Sequence, residues 1–127
     1  MWYKTEAKNG LSILDCIMQE NIILKNRLSN AVQQEVSKAY IERAENFQQR
    51  FIEKDQIVEL LRHEINTLLM SHYNHSHPQE EINLVRKRFL LLKRDIQKVK
   101  DEFDFLKSSF EEYLSGKEEV SISKLFY

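Results

Sequence analysis

The sequence predicts an all-α protein built on an antiparallel, coiled-coil-like helical hairpin that carries an apolar N-terminal helical extension. Three observations predict it. First, Ile82, Val85, Phe89, Leu92, Ile96, Val99, Phe103, Leu106, Phe110 and Tyr113 succeed one another in alternating steps of three and four residues. That spacing keeps one apolar stripe on one face of a slightly under-wound helix. Second, Ala44, Phe47, Phe51, Val58, Leu61, Ile65 and Leu68 write a matching stripe, with Lys54 as its exception. Third, the 127 residues include only two Gly and one Pro, which leaves few places to turn. A chain of that length suits one domain, here residues 1–127.

Taken in order, residues 1–10 read as a polar lead that ends in the turn dipeptide Asn9-Gly10. Ser12, with Asp15 three residues later, is an acceptable helix start. From Leu11 to His77 there is no Gly or Pro, which allows one helix over about residues 12–73. Its first half is apolar through Leu14, Ile17, Leu24, Leu28 and Ala31, but the phase slips between Ala31 and Val36. The slip fits a stutter in a continuous helix or a break near residues 29–30, where Asn30 and Gln33 resemble a weak capping box. Continuity is the expectation.

The turn falls at 74–77, inside the polar run Ser71–Pro78. Pro78 suits a first helical turn, and Glu80 and Glu81 favour a positive helix end. The last helix then covers about residues 78–115, stopped by Gly116, and 116–127 form a tail. Folding about this turn sets Phe47 opposite Phe103, Leu61 opposite Phe89 and Leu68 opposite Ile82, with Asp55 near Lys93. The seam is therefore Phe47, Phe51, Leu61, Ile65, Phe89, Leu92, Ile96 and Phe103.

The helix lengths disagree. A helix over 12–73 is about 90 Å long, whereas 78–115 gives about 57 Å at roughly 1.5 Å per residue. The apolar N-terminal part therefore overhangs. It must fold back as a third helix or be covered by another copy. A homodimer is the expectation, with Leu14, Ile17, Leu24 and Leu28 as the self-association contacts, because two-fold dimers are the commonest homo-oligomers.

Composition and motifs exclude more than they select. A net charge of −1 gives no global drive toward nucleic acid or membrane. No run of apolar residues is long enough to span a membrane, and the first residues lack a secretory pattern. The single Cys16 excludes an internal disulfide framework, suits a reducing, cytoplasmic setting and reads as a small buried residue. His72, His75 and His77 crowd the turn and are weak metal candidates, since their spacing matches no zinc module. Arg86, Lys93, Lys100 and Lys107 share one heptad position and form a basic stripe that could follow phosphates. Such flank charges more commonly pair with acids on a neighbouring helix. Nucleophilic triads, phosphate-binding glycine loops and Glu-x-x-His pairs are absent from the sequence, so neither an enzyme nor a cofactor is expected.

The expected function is a non-enzymatic scaffold, adaptor or oligomerisation protein that works through helix-face contacts with a protein partner. The alternatives are a nucleic-acid-associated helical protein using the basic stripe, or a small secretion-type chaperone. The latter rests on the analogy between a small helical hairpin and secretion chaperones or export adaptors.

Overall fold

The computed structural model describes residues 2–34, 37–74 and 79–116, with side chains over 4–34, 37–70 and 83–116. The chain forms three helices: α1 (Trp2–Gln34), α2 (Lys38–Asn74) and α3 (Gln79–Ser115). They contain 33, 37 and 37 residues, so each is about 50 to 55 Å long. The matched lengths remove the overhang. The N-terminal segment folds back as a third helix and packs against both others.

Contacts between helices fix the topology. Asn21 meets Asp55 and Asp15 meets Arg62, so α1 and α2 run antiparallel. Lys54 meets Glu102 and Tyr40 stacks on Tyr113, so α2 and α3 are antiparallel too. Glu6 meets Lys93 and Glu20 meets Lys107, which makes α1 and α3 parallel. The result is an up-down-up bundle.

The helix ends depart from expectation in two places. The expected turn at Asn9-Gly10 is helical, because α1 starts at Trp2. Gly10 serves packing there. A Cβ at Gly10 would lie 3.0 Å from Ile96 Cδ1 and 3.3 Å from Ile65 Cδ1, so any side chain there would push these two isoleucines aside by a few tenths of an ångström. The second difference concerns continuity. Residues 12–73 are not one helix, and residues 29–30 lie inside α1; between α1 and α2 the one described residue, Ser37, is not helical. Its hydroxyl accepts from Tyr40 N at 3.4 Å and its carbonyl from Ile41 N at 3.1 Å, so Ser37 caps α2. The phase slip between Ala31 and Val36 thus marks a chain reversal, not a stutter.

The remaining ends are close to the sequence reading. Helix α2 runs through Asn74, the first residue of the expected turn, and α3 ends at Ser115. Gly116 adopts a φ of 72° and donates to Tyr113 O at 3.2 Å, a left-handed helix stop that favours glycine. Pro78 and the tail after Gly116 lie outside the described residues.

The core is a continuous apolar column. Helix α1 contributes Ala7, Leu14, Ile17, Leu24 and Leu28, α2 contributes Ala44, Phe51, Val58, Leu61, Ile65 and Leu68, and α3 contributes Phe89 through Tyr113 in heptad steps. Seven of the eight expected seam residues are buried and Phe47 is half-buried against the core. The register differs by one heptad. Phe47 meets Phe110 at 5.4 Å and Tyr113 at 5.1 Å, where Phe103 was expected. Phe51 packs edge-on against Phe110 at 5.1 Å, which closes an aromatic cluster at this end of the bundle.

Candidate interaction surface

The residues expected to touch a second copy are used inside the chain. Leu14, Ile17, Leu24 and Leu28 are only 0 to 3% exposed, because α1 turns its apolar face onto its own α2 and α3. They cannot also face solvent, so the proposed self-association contact is corrected to a core contact. The core's one buried polar side chain, among the described residues, is Asn21. Its amide donates to Phe51 O at 2.8 Å and to Asp55 Oδ1 at 2.6 Å, while its own Oδ1 finds no partner. Asp55 also pairs with Lys25, so the expected Asp55–Lys93 contact does not form.

The basic stripe faces α1. Lys93 lies 3.3 Å from Glu6 and Lys107 lies 3.4 Å from Glu20. Lys100 pairs along its own helix with Asp104 at 2.9 Å, and that hydrogen bond raises its pKa. Arg86 also has an interaction of its own. Lys93 and Lys107 therefore join α3 to α1 of the same bundle, while Lys100 pairs within α3. Arg27 forms a two-pronged pair with Glu111, the second contact measuring 3.0 Å. This hydrogen bond is the main cause holding the Glu111 carboxyl below its ordinary range and the Arg27 guanidinium above its own.

Lys54, the exception in the α2 stripe, turns outward. Its stem is largely covered and its ammonium reaches Glu102 at 3.0 Å, a snorkelling arrangement. Cys16 is exposed, not buried, because the core positions of α1 fall on Leu14 and Ile17 and leave Cys16 between them on the outside. His75 and His77 lie outside the described residues, as does the side chain of His72. Among the described residues no group of three or more His, Cys, Asp or Glu side chains could hold a metal ion. No described helix is long and apolar enough to cross a membrane.

Two grooves open along the α3 flanks. A cleft of about 240 Å3 between α1 and α3 is lined by Gly10, Ile13, Phe89 and Lys93. On the other flank, His63, Glu64 and Thr67 of α2 face Arg88, Leu91 and Asp95 of α3.

Along the outer edge of the α2–α3 groove, α3 carries the feature that the sequence reading missed. Leu84, Leu91 and Phe105 are 61, 45 and 72% exposed, although they are large and apolar. They occupy one heptad position, which Lys98 completes. A signal was present, since residues seven apart lie on one helix face. It was hidden inside the Leu90-Leu91-Leu92 run, where only Leu92 belongs to the core stripe. Exposed Leu60 on α2 lies one turn from Glu64, on the side of the groove that leads to this stripe.

Compared with protein-family models, with curated proteins and with solved structures, the chain matches none.

Proposed function

We propose that this protein is a non-enzymatic assembly module that presents the outer face of α3 to a protein partner, self-association included. The supporting observation is the heptad-spaced exposed stripe of Leu84, Leu91 and Phe105 on a bundle whose core is already complete within one chain. Scattered exposed apolar residues, such as Ile22 or Met70, are ordinary on any protein surface. Residues aligned along one helix face are different, because a single neighbouring helix can cover them all. The charge pattern favours a protein over nucleic acid, since the basic stripe is engaged by Glu6 and Glu20 of the same chain.

A photo-reactive residue installed in the cell at Leu91 or at Phe105 tests the proposal against one installed at Gln49, an exposed position on α2. The proposal predicts protein adducts at the two stripe positions and none at Gln49. Equal labelling at all three, or none at the stripe, contradicts it.

A further inference from the structure

The proposal that α3 presents an assembly surface can be taken one step further, to the identity of the partner. We propose that the partner is a second copy of this chain, with the two α3 helices packed antiparallel about a two-fold axis between Arg94 and Asp95. The charge order along α3 carries this inference. Around the apolar stripe, the N-terminal half of the outer face is basic through Lys87 and Arg88, and the C-terminal half is acidic through Asp101 and Glu102. All four residues are exposed. A face of this kind complements itself only when reversed end to end, which is what a two-fold axis across the helices does.

The register follows from the stripe. Leu84 and Phe105 lie equally far from the axis, so Leu84 of one copy packs on Phe105 of the second copy, twice over. Leu91 meets the aliphatic stem of Lys98 in the same way. In an antiparallel pair each flank faces its own counterpart. One flank therefore sets Lys87 against Asp101 of the second copy, and the other brings Arg88 beside Glu102 of the second copy, which also holds Lys54 of its own chain. Arg94 and Asp95 meet their own copies at the axis, where the 3.9 Å Arg94–Asp95 contact within each chain sets opposite charges side by side. Leu60 on α2, level with the axis by way of Glu64 and Asp95, is covered by the same packing.

The segment 84–105 is about 33 Å long. Two such helices with Leu60 bury on the order of 1,000 Å2, the lower end for a specific interface, and a weak dimer is expected.

The test is absolute mass by light scattering on the full chain, over about 1 to 500 μM. The wild-type chain is expected to pass from monomer to dimer. Combining Leu84→Ser with Phe105→Ser removes two apolar contacts and should weaken the dimer about a hundredfold or more. Lys87→Glu alone, or Asp101→Lys alone, sets like charges together at two sites and should weaken it about tenfold. An equimolar mixture of those two single variants should dimerise as wild type does, because every such pair is then opposite in sign. Helical circular dichroism and melting confirm that each variant is folded. A wild-type dimer indifferent to these charge changes, or a mixture that fails to recover, overturns the register while leaving the broader assembly reading intact. A wild-type chain that stays monomeric throughout overturns the second copy as partner; adducts to other proteins at Leu91 then keep the assembly reading, and binding to phosphatidylserine vesicles would assign the face to a membrane instead.

Discussion

Replacing Asn21 by Leu should make this protein more stable and less well defined. Asn21 is 1% exposed and its Oδ1 has no partner, an arrangement that costs about 1 kcal/mol or more. A leucine there removes that cost and adds about 2 kcal/mol of apolar burial. Against this stand the losses of the charge-assisted bond to Asp55, about 2 kcal/mol, and of the bond to Phe51 O, about 0.5 kcal/mol because that mid-helix carbonyl keeps its backbone partner. Asp55 keeps Lys25 as a partner, so its charge is not stranded. The balance favours the variant by about 0.5 kcal/mol, or about 2 °C in melting temperature for a chain of this size. What Asn21 supplies in return is register. If α1 slid by one heptad along α2, the Asn21 amide would face Gln48 or Arg62, and Arg62 has no acceptor. With leucine in place that penalty disappears, and neighbouring registers become populated. Thermal melting by circular dichroism reads the first effect, and broadening or doubling of amide resonances reads the second. A loss of more than about 2 kcal/mol would refute the reasoning, because it would make the polar contacts the source of stability.

Four further outcomes follow from the same structure. Gly10→Leu should cost about 2 kcal/mol by denaturant titration despite its better helix propensity, since any side chain there meets Ile96 and Ile65. Ile96→Asp, at a position only 4% exposed, should unfold the bundle, and unchanged helicity and melting would remove Ile96 from the core. The Arg27–Glu111 pair should contribute about 0.5 kcal/mol at neutral pH, a small value because both side chains are over 40% exposed. As Glu111's folded pKa is depressed, that contribution is present above the carboxylate's unfolded pKa and vanishes as pH falls through the folded one. Urea titrations of wild type and Glu111→Gln should therefore differ at neutral pH and converge in acid. Finally, Cys16 should react with a thiol reagent in the native protein nearly as fast as in the denatured one; strong native protection would place it in the core.

The hairpin was legible because heptads are a direct record of which face is buried. Phe89, Leu92, Ile96 and Phe103 are in the core for the reason their spacing announces. The same periodicity hid the register. Sliding α2 against α3 by one heptad leaves an apolar side chain opposite another at every step, so pattern alone could not separate Phe103 from Phe110 as the neighbour of Phe47. The reversal after α1 was visible as a phase slip, but its position depends on one hydroxyl at Ser37, and serine occurs in many places without capping anything. Gly10 was misread because a glycine beside an asparagine signals a turn, whereas its reason here lies 86 positions away at Ile96. The outer stripe on α3 follows the same heptad as the core, and only the third helix shows which of the two stripes remains uncovered.

Helix α1 completes the core of its own chain. Zero-length cross-linking of a mixture of isotopically light and heavy protein tests it most directly, at the Glu6–Lys93 and Glu20–Lys107 pairs, 3.3 and 3.4 Å apart. Linked peptides should be all light or all heavy, even at the concentrations where the proposed α3 dimer would form. Mixed light–heavy peptides at these two pairs would mean that α1 covers a different copy, and would contradict the fold-back.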